Sequence, residues 1–139
     1  MKIQRMISME FLGTAILAVA IVGSGHMAIN LQADSGMVLL INALATAIGL
    51  ALVIRIGMKV SGSHFNPAVT LVMLMLKKIT PQLSLFYITA QVVGAITGVG
   101  FANLLFDQKA LDQSSIERSG SNLFFSEIFA TAVLLWIIL

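Results

Sequence analysis

Three stretches of this chain, residues 7–29, 37–57 and 82–106, run apolar far enough to cross a bilayer, and a fourth, 124–139, is still apolar at the last residue. A spanning helix needs about 20 mostly apolar residues. Only 10% of the residues are charged, against roughly 25% in soluble domains. So few charges cannot make an aqueous surface, and the solvent for most of this chain is therefore lipid. The expected fold class is all-α, polytopic and membrane-embedded, with the lipid bilayer as first partner. The composition also excludes functions. With no cysteine, disulfides and thiolate chemistry are ruled out, and two histidines without a carboxylate cluster predict no metal and no cofactor. No nucleophile–base pair appears, so no enzyme is expected. The basic residues are scattered between apolar segments rather than gathered in one patch, so no nucleic-acid partner is expected. Ala18-Val19-Ala20 after Lys2 and Arg5 mimics a signal-peptide cleavage site. The apolar run around it is long enough to span, however, and its glutamate recurs later, so it reads as a retained helix.

Between the second and third spans lies a shorter apolar piece, residues 67–76. At 1.5 Å per residue it reaches only ~15 Å, half the hydrocarbon thickness. The one clearly aqueous connection is the polar loop 107–122. Lys2, Arg5, Arg55, Lys59, Lys77 and Lys78 fall on one side of the spans, and Lys109 and Arg118 on the other. This asymmetry predicts a cytoplasmic N-terminus in a multi-pass protein of the cell (inner) membrane.

The chain also repeats itself. Glu10-Phe11-Leu12-Gly13-Thr14-Ala15-Ile16-Leu17 returns as Glu127-Ile128-Phe129-Ala130-Thr131-Ala132-Val133-Leu134, an offset of 117 residues from Glu10 to Glu127. An acid within an apolar span is expensive, so two in register predict a shared role, the support of a loop from inside. Three spans separate the copies, so the second enters from the opposite face and the repeat is inverted. Residues 1–123 read as the first repeat and 124–139 as the start of the second. The expectation is a gene that continues for about another hundred residues and carries a second copy of the first repeat's central motif.

That motif is Ser61-Gly62-Ser63-His64-Phe65-Asn66-Pro67-Ala68-Val69-Thr70. Pro67 suits a first helical position, where no N–H is needed. Asn66 is then the N-cap, and Asn66, Pro67 and Ala68 together start a half-length helix. A segment this short must turn back near the bilayer centre, where irregular backbone is tolerated only against protein or a watery cavity. Gly62, Ser63, His64 and Phe65 are therefore expected to offer carbonyls to a pore. The helix dipole would place positive potential at its centre, repelling cations, while the Asn66 amide donates to a neutral solute.

At these residues the chain resembles the major intrinsic protein family, the aquaporins and glycerol facilitators. The likeness rests on Glu10, on Ser61-Gly62 with His64, on Asn66-Pro67-Ala68-Val69-Thr70, and on Ala90-Gln91-Val92-Val93-Gly94-Ala95 in the third span. It implies six spans and two half-helices meeting at paired Asn-Pro-Ala motifs, one pore per subunit and a homotetramer of the full-length protein. It implies that His64 stands at the cytoplasmic pore wall. Thr46, twenty residues before Asn66, would contribute to the outer filter, where water-tight members carry an aromatic ring. Glu10, Gln91 and, by the repeat, Glu127 would brace re-entrant loops. The second Asn-Pro-Ala and the filter arginine that follows it in the family are not in this chain.

The expected function is a passive channel for water or small uncharged solutes, with polyols or metalloid acids admitted by the small Thr46. A coupled transporter of inverted-repeat type would need an ionisable group beside the midplane site, and none lies near Asn66 in sequence. A half-molecule without activity of its own is the third reading. Gly94 and Gly98 read as a close helix contact, and His26 as a polar helix end without a role.

Overall fold

In a computed structural model, residues 2–111 and 119–138 are described. They form five α-helices and no strand: α1 (Ile3–Asn30), α2 (Ser35–Gly57), α3 (Pro67–Met75), α4 (Pro81–Leu105) and α5 (Ser121–Ile138). All but α3 are long and apolar enough to cross a membrane. Two helices begin well before their apolar runs. α1 starts at Ile3 rather than at 7, because Gln4 and Arg5 continue the helix into the interface, where long polar side chains reach water. α5 starts at Ser121 rather than at 124. Of the polar loop 107–122, residues 112–118, which carry Asp112, Glu117 and Arg118, lie outside the described residues.

Local chemistry sets the helix starts. Asp34 caps α2, its Oδ1 accepting from the Met37 N–H at 3.0 Å. Thr80 caps α4 through its hydroxyl, which accepts from the Leu83 N–H, with Pro81 at the first helical position. α3 ends at Met75, and Lys77 takes a left-handed turn at φ 57° that sends the chain back toward α4.

The molecule is apolar outside and small or polar inside. Leu39 and Trp136 are 71% and 82% exposed, and Leu44, Ile48, Leu52 and Ile56 stand open along α2. The buried side chains include Glu10, Thr14, Ser61, Thr70, Ser84, Gln91 and Asn103. Lipid gives apolar side chains no reason to gather, so helices associate through close backbone approach and hydrogen bonds. α1 is the hub, packed against α4 and α2, while α3 rests on α4. On α4, Ser84, Tyr87, Gln91, Gly94, Gly98 and Ala102 form a buried stripe at helical spacing. A Cβ on Gly94 would stand 2.5 Å from the Phe11 carbonyl oxygen, and one on Gly98 would strike the Ala15 carbonyl. α2 meets α1 through Asn42, whose Nδ2 donates to the Ile21 carbonyl at 2.7 Å, and through Gly49, which faces Ala20. No residue of α5 is buried.

Backbone, unlike a flexible side chain, cannot step aside. Gly98→Val should therefore destabilise the protein in detergent by about 1–3 kcal/mol or more, and thermal unfolding followed by circular dichroism checks this. An unchanged midpoint would show that α1 and α4 do not meet there.

Candidate functional site

The connection from α2 to α3 is held by one carboxylate. Glu10, on α1, is 0% exposed. Its Oε1 accepts from the Ser61 hydroxyl at 2.5 Å and the His64 N–H at 3.0 Å. Its Oε2 accepts from the Phe65 N–H at 2.7 Å and from Gln91 Nε2 at 2.8 Å. Among the described residues, no cation takes part. Four donors replace the water that a carboxyl group loses on burial. Tyr87 on α4 donates its hydroxyl to the Ser61 carbonyl at 2.7 Å. The loop is thus tied to α1 and α4 at once.

The tension in this loop is visible in its backbone. Gly62, Ser63 and Phe65 all have positive φ, at 89°, 54° and 45°. Such conformations cost about 1–3 kcal/mol each for non-glycine residues and persist only where the surroundings impose them. Here the imposing partners are the Glu10 oxygens on the neighbouring amides. Phe65 is 4% exposed, and its ring fills space that Cβ atoms on Gly13 and Gly57 would occupy. The Phe65 side chain therefore lies between α1 and α2 and lines no open surface; its part in any pore is confined to its carbonyl. Ser63 likewise turns its hydroxyl to the Ile54 carbonyl. Among the described residues, no protein donor reaches the carbonyls of Gly62, Ser63, His64 or Phe65.

Asn66 then starts α3. Its backbone is extended, its Oδ1 accepts from the Ala68 N–H at 2.7 Å, and Pro67 occupies the first helical position. With Oδ1 so engaged, the two Nδ2 hydrogens have no acceptor among the described residues. They project at the positive end of the half-helix.

Thr70, one turn into α3, joins the parts. Its hydroxyl lies 3.1 Å from the Asn66 carbonyl, 3.0 Å from Gln91 Nε2 and 3.0 Å from His64 Nδ1. A hydroxyl has one hydrogen. The carbonyl can only accept it, so both nitrogens must donate. The network thereby places a hydrogen on His64 Nδ1. Burial holds the imidazole below the ordinary histidine range, against the pull of Glu10. It stands edge-on to Tyr87, with ring centroids 5.3 Å apart. His64, Gly62 and Ser61 face an open cavity of about 400 Å³ at this end of the molecule.

Other candidates fall elsewhere. Thr46 sits on the α1-facing register of α2, between Asn42 and Gly49, with its hydroxyl covered and without a hydrogen-bond partner among the described residues. Glu127 is exposed on α5. Gln91 is 1% exposed and both its amide hydrogens are engaged; its Oε1 has no partner among the described residues. His26, given no role from sequence, donates from Nε2 to Asn103 Oδ1 at 3.0 Å and stacks on Phe106. Asn103 in turn donates to the Ala110 carbonyl, pinning the chain beyond α4. Sequence reasoning gives Tyr87 and Thr70 no role of their own either. Tyr87 precedes Gln91 by four residues and so shares its face, which is the signal that marks it. Among the described residues, no three His, Cys, Asp or Glu side chains gather to hold a metal.

A half-length helix capped by Asn-Pro-Ala, re-entering among spanning helices, defines a membrane protein with a broken-helix site. The model of the family described as Major intrinsic protein matches residues 1–139, and the chain belongs to that family. Its members are passive channels rather than enzymes. The chain is 43% identical over 118 residues to aquaglyceroporin AqpS of Rhizobium meliloti (strain 1021), a match covering 85% of this chain and 51% of the relative. Aquaporin-4 of Mus musculus is 39% identical over 103 residues, 71% of this chain and 31% of the relative. The glycerol uptake facilitator protein of Pseudomonas aeruginosa is 29% identical over 126 residues, 88% and 44%. The chain thus spans about half the length of these curated relatives or less.

Because Gln91 donates to both Glu10 and Thr70, Gln91→Leu removes two buried hydrogen bonds, one of the four at Glu10 and one of the two that Thr70 accepts. We expect a loss of about 1 kcal/mol or more per bond, read as a lower thermal midpoint in detergent. A variant as stable as the wild type would show that this network does not hold the loop.

Proposed function

We propose that this chain forms one half of a passive transmembrane pore for water and small uncharged solutes. The observation that carries the reading is the Asn66 amide, left free to donate at the positive end of a half-helix, beside a run of unpaired carbonyls. A neutral molecule that both donates and accepts hydrogen bonds suits such a path. A cation meets the dipole's positive end and is repelled. Support for a channel over a coupled transporter comes from Glu10, the one acid near the motif among the described residues. Both its oxygens are engaged by structural donors, so neither is free to carry an exchangeable proton or ion.

On this reading the other half of the pore comes from a second repeat, whose opening turns are α5 with Glu127, and the complete protein is a homotetramer with one pore per subunit. The N-terminus faces the cytoplasm of a cell whose inner membrane holds the protein. The solutes include small polyols or uncharged metalloid acids, as the name aquaglyceroporin of one relative suggests. Thr46 favours them through lack of bulk, since its hydroxyl is turned away.

Paired uptake of glycerol and water by vesicles containing the complete channel tests this. Thr46→Phe should lower glycerol flux at least several-fold more than water flux, because steric rejection grows with solute width. A wild type that carries water alone, or a ratio unmoved by the ring, would refute the wide-filter reading. Vesicles with residues 1–139 alone should swell no faster than empty ones, because one re-entrant loop supplies only half a pore wall.

A further inference from the structure

One end of the molecule carries charge that the protein does not answer. Lys2 and Arg5 precede or open α1, Arg55 and Lys59 close α2, and Lys77 and Lys78 precede α4; all six are exposed. Alternating helices bring these to the same end, where Met9 of α1 lies against Gly57 of α2 and Met6 shares a cavity wall with Lys77 and Lys78. Among the described residues, the only acid at that end is Glu10, which is fully buried and occupied by four donors. Among the same residues, none of the six cations has an ion pair.

Two of these cations have more than an open surface around them. Lys77 and Lys78 stand side by side on the rim of the cavity of about 400 Å³, placed there by the left-handed turn at Lys77. Met6, Ile79 and Leu83 give the same cavity an apolar wall. Its lining thus combines two lysines with apolar side chains, at the level where a spanning helix begins.

We propose that this cavity is a binding site for the phosphate headgroup of an anionic phospholipid. The ammonium groups of Lys77 and Lys78 hold the phosphate, and the glycerol and upper acyl chain lie along Met6, Ile79 and Leu83. A soluble phosphate would satisfy the lysines but leave the apolar wall wet, so the lipid is the better occupant. Because His64 and Gly62 line the same cavity, the site adjoins the proposed pore wall, and a bound headgroup would stand next to the re-entrant loop. Lipid retention is read without any flux measurement, so its failure is distinguishable from a failure of the channel reading.

The test uses the protein in phosphatidylcholine nanodiscs containing a minor fraction of phosphatidylglycerol, with lipids retained after detergent extraction counted by native mass spectrometry. The wild type should retain phosphatidylglycerol in excess of its share. A basic residue near an anionic surface is worth about fivefold in affinity, so Lys77→Gln or Lys78→Gln should each lower retention by about that factor and the double variant by about 30-fold. Lys109→Gln, at the other end, should change nothing, and the double Lys→Arg variant should retain the lipid. The single variants keep the test open if the double variant fails to fold. Retention unchanged in the Gln variants, an equal loss in Lys109→Gln, or complete displacement of phosphatidylglycerol by millimolar inorganic phosphate would each overturn the assignment.

Discussion

A carboxylate buried inside the protein, with no counter-ion among the described residues, must be surrounded by donors, and this demand organises the protein. Glu10 collects the Ser61 hydroxyl, the His64 and Phe65 amides and the Gln91 amide group. Those partners come from the re-entrant loop and from α4, while Glu10 itself belongs to α1. Satisfying one side chain therefore fixes three parts of the chain relative to one another. It also fixes which loop groups are left over. The amides of His64 and Phe65 point inward to the carboxylate, so the carbonyls of the loop are free to face the other way, and Asn66 is delivered to the start of α3 with its Nδ2 hydrogens unused.

The rest of the packing makes that arrangement possible. Phe65 can swing between α1 and α2 only because Gly13 and Gly57 lack side chains. α4 can bring Gln91 within reach of Glu10 only because Gly94 and Gly98 let it lie against the α1 backbone. Many of the large apolar residues are exposed on the outside of the helices, and in lipid they gain nothing from one another. Close approach and hydrogen bonds take the place that a hydrophobic core has in water.

Much of this is written plainly in the sequence, for identifiable reasons. Long apolar runs mark spans because lipid admits few other structures. Asn66-Pro67 marks a helix start because capping and proline geometry are local. A glutamate inside an apolar run signals a buried role, because charge there is costly. What cannot be read this way depends on partners far apart in the chain. The turning of Phe65 away from the surface needs two glycines on different helices. The His26–Asn103 pair joins residues 77 positions apart. The Thr46 hydroxyl is buried by tertiary packing that its place in the sequence does not announce. Glu127 shares its local sequence with Glu10 but not, among the described residues, its surroundings: Glu10 is fully buried and Glu127 is exposed.

The path suggested for neutral solutes exists only while the loop keeps its strained left-handed residues, and Glu10 supplies that restraint. Hydrogen–deuterium exchange across residues 61–66, in the wild type and in Glu10→Gln, tests this most directly. The neutral amide accepts less strongly and sets its own N–H groups against loop donors. The His64 and Phe65 amides should then exchange at least about tenfold faster, the counterpart of ~1.4 kcal/mol, while the middle of α1 and α4 remains as protected as before. If both amides stay equally slow in the variant, the carboxylate is not what holds the loop, and the organising role of Glu10 is contradicted.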